Sequence, residues 1–206
     1  MPVYKLLATD NEPATRLKLY ASGGDYHEWY KNGEEVLLEE ALSYKEQGYD
    51  AFKFRCGTDW QFSNMTLKKY IPILRRLRDA VGPDFKLMHE TMRETGVPMD
   101  EILNEFCPVL DELNFHWFER FDTIESNVRV NEALSTVMVA SGEIFKTRFE
   151  AKEWMDSGAI DVVQSDCNVI GITENWYIAR IAHFKGLLHC PHNWHGGLTT
   201  MANAHF

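Results

Sequence analysis

From residue 33 onward the chain alternates amphipathic stretches of helical period with short apolar runs bounded by Gly, Asp or Pro, the sequence form of successive βα units. Candidate strands cover residues 17–21, 51–55, 86–90, 115–119, 137–141, 162–164 and 187–191. Candidate helices cover 34–47, 67–80, 99–113, 125–133, 149–156 and 174–184, and Gly48, Gly82 and Gly186 stand where helix C-caps belong. Strand starts recur at intervals of 22 to 35 residues. Parallel strands need a crossover of roughly a dozen residues or more, so this spacing predicts an α/β fold with a parallel sheet and not a sandwich. A (β/α)8 barrel of the TIM type and an open doubly wound sheet both satisfy it. A barrel places its chemistry at the C-terminal strand ends, and the ionisable residues collect there.

The N-terminal stretch differs. Residues 1–14 show no amphipathic helix, and Gly23, Gly24, Asp25, His27, Glu28 and Trp29 read as a loop after the first strand. On the barrel reading about seven βα units are present and an eighth strand is absent, so the chain is expected to be a truncated barrel.

Composition narrows the partners. With 206 residues, 45% hydrophobic and 25% charged, the chain can bury a sizeable core as one large or two small domains. Thirty-one acids against 21 Lys and Arg give a net charge of −10, and no basic run exceeds Lys68-Lys69 or Arg75-Arg76. Such a surface repels a polyanion, so nucleic acid is not an expected partner. No apolar stretch reaches the ~20 residues of a membrane span. Cys56, Cys107, Cys167 and Cys190 are widely spaced, without a C-x-x-C pair or a secretory leader, which argues against a disulfide framework and for a reducing cytoplasm. The six Trp residues share no period, against a carbohydrate-stacking surface.

Three successive candidate strands each deliver one carboxylate: Glu90 and Glu119 end theirs, and Glu143 follows the next by two residues. Parallel strands bring those ends together. Three convergent carboxylates repel in a low-dielectric pocket unless a cation neutralises them, and hard oxygen ligands suit Mg2+. The alternative is three unrelated Glu residues at exposed strand ends. Lys53 and Arg55 alternate on one face of the second strand, either as a salt-bridging pair or as part of the site. Asp166 ends the sixth strand and His192 follows the seventh, so an Asp can orient a His as acid or base. His189, His192 and His195 form H-x-x-H-x-x-H, but Pro191 and Gly196-Gly197 oppose the continuous helix that a zinc reading needs.

Taken in order, these residues resemble the enolase superfamily, specifically its mandelate racemase and muconate lactonizing enzyme group, from about Tyr4 to the end of the chain. Residues 4–7 look like the linker leaving that family's N-terminal capping domain, and Tyr20-Ala21-Ser22 looks like its first barrel strand. The resemblance implies residues 1–16 as linker from an absent capping domain and 17–206 as a partial catalytic barrel. It places Lys53 and Arg55 on the family's K-x-K pair, Glu90, Glu119 and Glu143 on its Mg2+ ligands, and Asp166 and His192 on its Asp-His dyad. Gly142-Glu143 and Pro191-His192 sit in flanks typical of the family.

The chemistry implied is removal of a proton α to a carboxylate, with Mg2+ and Lys53 stabilising the charge that develops. The leading expectation is a sugar-acid dehydratase, a lyase acting on a small-molecule carboxylate, with His192, or Lys53 if deprotonated, as base. A racemase or epimerase, and a catalytically incompetent fragment, are the alternatives. Family members commonly form homo-oligomers, and one is expected here. Departures from the pattern are Glu90 for the usual Asp, Met92 for Asn, Arg55 for the second Lys, Arg120 for a second acid and Phe121 for Pro. Arginine stays protonated and is a poor base, which weighs against a two-base racemase. Arg120 and Phe121 are expected to reshape anion binding.

Overall fold

The computed structural model describes residues 1–8, 12–24, 33–56, 60–90, 92, 95–120 and 122–205. The expected loop at Asp25, His27, Glu28 and Trp29, and Phe121, lie outside the described residues. In chain order the elements are α1 (Val3–Leu7), β1 (Ala21–Gly23), α2 (Glu35–Glu46), β2 (Ala51–Arg55), α3 (Trp60–Ser63), α4 (Leu67–Val81) and β3 (Lys86–Glu90). A composite helix follows, α5 (Met99–Glu101) passing through a π-helical segment (Ile102–Phe106) into α6 (Cys107–Glu112). Then come β4 (Trp117–Glu119), α7 (Ile124–Ala133), β5 (Met138–Ser141), α8 (Arg148–Asp156), β6 (Val162–Val163), α9 (Cys167–Phe184), β7 (Leu188–His189) and α10 (Gly197–Asn203).

Residues 19–139 form one compact unit, and residues 1–18 with 140–206 form the other. In the first, β1 to β4 pair in parallel in chain order, and the Met138 N–H at the start of β5 donates to the His116 carbonyl at 3.4 Å. In the second, β5, β6 and β7 pair in parallel in chain order. Parallel strands in chain order, joined by helical crossovers, are the topology of a TIM-type (β/α) barrel, with seven of its strands among the described residues.

Burial on both faces of β2, β4 and β6 explains why these strands read as apolar runs. In β2 the rings of Phe52 and Phe54 pack toward the helices, Phe52 at 5.2 Å from Tyr44 of α2 and Phe54 at 6.1 Å from Phe115. Helix α4 buries Leu67, Tyr70, Leu74, Leu77 and Val81, an i, i+3, i+7 stripe in which each fully buried Leu contributes about 1.5–3 kcal/mol. Pro108 supplies no N–H to the turn before it, and the helix widens there into the π segment. His89 belongs to this core: its Nε2 meets the Tyr70 hydroxyl at 2.8 Å, and rings of Phe54, Phe106 and Phe118 surround it. Burial pushes its pKa down to about 3, so it stays neutral.

Several element boundaries differ from the sequence reading. β1 spans Ala21–Gly23, not 17–21, because Leu17 and Leu19 are exposed and pairing with β2 begins at Ala21. Val3–Leu7 is helical, too short for periodicity to reveal, and is tied down by the Tyr4 N–H donating to His205 Nδ1 at 3.2 Å. Helix α9 starts at Cys167 and not near 174, because Gly171 (φ 73°) kinks it and breaks the pattern of its first turn. Residues 197–203, where the sequence reading places no helix, form α10. None of the four cysteines is in a disulfide, and no described helix is long and apolar enough to cross a membrane.

Candidate active site

Residues in register on parallel strands project to the same side of a sheet. Arg55, Glu90 and Glu119 form one such row across β2, β3 and β4, and Lys53, Met88 and Trp117 form the next row below. From the lower row the Lys53 Nζ reaches Glu90 Oε2 at 2.8 Å and Glu119 Oε1 at 2.9 Å, while Arg55 Nη2 meets Glu90 Oε1 at 2.8 Å. Lys53, Glu90 and Glu119 are almost wholly buried, whereas the Arg55 side chain is 35% exposed. Two cations therefore face two carboxylates, and the sequence alternatives for Lys53 and Arg55 merge: both are salt-bridged inside the candidate site.

Burial alone depresses an ammonium's pKa, but the charges of Glu119 and Glu90, with Tyr20 nearby, overcome it and raise Lys53 well above the ordinary lysine value. The two carboxylates thus favour the charged form of Lys53. Arg120 points to the helix side. Its guanidinium meets Asp122 at 3.0 Å and the Ser126 hydroxyl at 3.2 Å and lies 5.3 Å from the Phe118 ring centre, so it shapes the packing of α7 and not anion binding at the carboxylates. Met92 is buried, and its carbonyl accepts from the Thr95 hydroxyl at 2.6 Å.

The remaining predicted residues gather in the other unit. Gly142 adopts φ +127°, and a Cβ there would sit 2.7 Å from the Phe145 ring and 3.2 Å from the Gln164 N. Only glycine lets the chain turn so tightly off β5, and that turn delivers Glu143. Asp166 lies three residues past β6, not at its end, and is the N-cap of α9: its Oδ1 accepts from the Asn168 N–H at 2.8 Å. Its Oδ2 stands 2.9 Å from His192 Nδ1, and His192 Nε2 stands 3.0 Å from Glu143 Oε2. A carboxylate only accepts, so both ring nitrogens donate when His192 is an imidazolium.

The three histidines of the H-x-x-H-x-x-H run have separate partners. His189 Nε2 lies 3.1 Å from the Ser165 hydroxyl and the Asn175 Oδ1, and burial pushes its pKa down to about 4. His195 Nε2 meets Asn168 Nδ2 at 3.0 Å on the surface.

Sequence reasoning missed Asn203. From α10 its Nδ2 donates to the His192 carbonyl at 2.8 Å and its Oδ1 accepts from the Cys167 N–H at 3.1 Å. No local pattern marks it.

Among the described residues no three His, Cys, Asp or Glu side chains converge in metal-ligand geometry. The donor chemistry still fits a hard cation: Glu90 and Glu119 are buried carboxylates, and the Lys53 ammonium between them marks a place where positive charge is held.

A family pattern described as Enolase C-terminal domain-like matches residues 36–206. The chain is 29% identical over 99% of its length to arabinonate dehydratase of Saccharolobus solfataricus, and 29% identical over 98% to D-gluconate/D-galactonate dehydratase of Picrophilus torridus. It spans about half the length of these relatives, 52% and 51%. A solved mandelate racemase/muconate lactonizing protein from Paracoccus denitrificans, complexed with magnesium, superposes with a TM-score of 0.82 at 26% identity, covering 98% of this chain and 53% of that one.

Proposed function

Since the chain belongs to the enolase C-terminal domain-like family, we propose that it carries the proton-transfer and metal-binding residues of a Mg2+-dependent sugar-acid dehydratase. The observation that carries this reading is the Asp166–His192 contact at 2.9 Å, which fixes one imidazole nitrogen and directs the other toward Glu143. Its partner observation is the row of Arg55, Glu90 and Glu119 with Lys53 beneath it.

The reaction proposed removes the proton at C2 of a 2,3-dihydroxy acid and expels the C3 hydroxyl as water, and the enol left behind tautomerises to a 2-oxo-3-deoxy acid. Neutral His192 accepts the C2 proton at Nε2, with Asp166 holding Nδ1 and stabilising the imidazolium. The same imidazolium can then protonate the departing hydroxyl. Glu90, Glu119 and Glu143 would hold Mg2+, which supplies positive charge opposite the carboxylate as negative charge accumulates on it. Lys53, kept protonated by the Glu119 and Glu90 charges, adds a fixed cation, and the half-exposed Arg55 guanidinium suits a bidentate grip on a carboxylate. With Lys53 charged and the Arg55 guanidinium paired to Glu90, His192 is the one base in this set, which supports dehydration over two-base racemisation.

The test is incubation of the chain with Mg2+ and a panel of aldonic acids, including D-gluconate and arabinonate, followed by trapping of the 2-oxo product. Appearance of a product lighter by one water, dependent on Mg2+, is expected. Interconversion of epimers without loss of water would contradict the proposal.

A further inference from the structure

Asn203 closes α10 and is buried. A carboxamide has one acceptor oxygen and two N–H donors, and here each side is committed. Oδ1 accepts from the Cys167 N–H at 3.1 Å, one of the N–H groups that the start of α9 leaves without a helical acceptor. Nδ2 donates to the His192 carbonyl at 2.8 Å and reaches Asp166 Oδ1 at 3.4 Å. That same Oδ1 also takes the Asn168 N–H at 2.8 Å. With Oδ1 occupied from two sides, Asp166 presents Oδ2 to His192 Nδ1 at 2.9 Å.

We infer that Asn203 is the positioning residue of the Asp166–His192 pair, its carboxamide tying the start of α9 and the segment after β7 to a single geometry. Neither neighbouring chemistry does this work. An aspartate would keep the acceptor for Cys167 but lose both donors and set a second carboxylate against Asp166, and an alanine would leave the Cys167 N–H and the His192 carbonyl without their side-chain partner.

The inference rests on the proposed role of the pair in proton transfer, so its test reads the imidazole directly and not turnover. In the full chain, the His192 Nδ1–H proton is identified by NMR through its disappearance in His192→Asn. Both Asn203→Asp and Asn203→Ala are expected to lose this resonance to rapid solvent exchange, while Asn193→Ala, which alters only the exposed contact with Thr200, keeps it. In the parent, the Asn203 carboxamide protons are expected to exchange far more slowly than those of an exposed asparagine. Persistence of the His192 resonance in either Asn203 variant would overturn the inference. So would free exchange of the carboxamide protons in the parent, a measurement that decides the matter even if neither variant folds. An Asn203-dependent resonance in a chain that dehydrates no aldonic acid would sink the proposed function and leave the positioning role intact.

Discussion

Replacing Lys53 with Met keeps a chain of similar length and shape in a fully packed position and removes only the ammonium. That ammonium lies 2.8 Å from Glu90 and 2.9 Å from Glu119, whose side chains are 4% and 0% exposed. Removing one partner of a buried ion pair costs about 3–5 kcal/mol, because the other charge loses its compensation away from water. Arg55 still faces Glu90, so the loss falls mainly on Glu119 and stays within that range instead of doubling. For a chain of this size about 2–4 °C of melting temperature accompanies each kcal/mol, which gives a fall of roughly 6–20 °C. Thermal and urea unfolding of the parent, Lys53→Met and Lys53→Met/Glu119→Gln at constant pH measure it. The double variant is expected to recover a large part of the loss, since a carboxamide has no charge to compensate. Lys53 has a raised pKa in the folded state, so its stabilisation is complete below the ordinary lysine value and is lost only as pH rises above it. The penalty is therefore expected to be the same at pH 6 and pH 8. A loss below about 1 kcal/mol, or a double variant no more stable than the single, would refute the reasoning.

Gly142→Ala forces a side chain onto φ +127° and into the Phe145 ring, so it is expected to cost more than the ~1–3 kcal/mol of backbone strain alone. Gly158→Ala, at φ +76° with nothing within 4 Å of its Cβ, carries the strain alone, and unfolding curves of the two should differ accordingly. His89 and His189 have pKa values lowered to about 3 and about 4 by burial, against about 6.5 when unfolded. The unfolded chain binds the extra protons, so stability is full above pH 6.5 and falls as pH drops toward 4; His89→Gln, which can keep a hydrogen bond to Tyr70, should flatten that limb in acid titrations. Glu119→Gln and Glu143→Gln should each weaken Mg2+ binding at least tenfold by calorimetry, and parental affinity in both would reject the ligand set.

The cluster at the ends of β2 to β4 was legible in the chain because these strands are largely buried: apolar runs end in ionisable residues, and alternation alone puts Lys53 and Arg55 beside Glu90 and Glu119. Parallel register does the rest. The strand and helix limits around Asp166 were not legible, since β6 and β7 are two residues each and Gly171 interrupts the period of α9. Asp166 consequently read as a strand end and proves to be a helix cap. His89 and Arg120 sit next to Glu90 and Glu119 and carry equally reactive groups, yet one-residue alternation turns both toward the helices. Asn203 left no trace in sequence because its partners His192, Cys167 and Asp166 lie 11, 36 and 37 residues away and no period links them.

The measurement closest to the central claim is exchange of the C2 proton of an aldonic acid with solvent deuterium, followed by NMR with and without Mg2+. The parent is expected to exchange or eliminate only with Mg2+ present, and His192→Asn to do neither while still binding the metal with parental affinity. Deuterium incorporation by His192→Asn at the parental rate would show that another group removes the proton and would contradict the assignment.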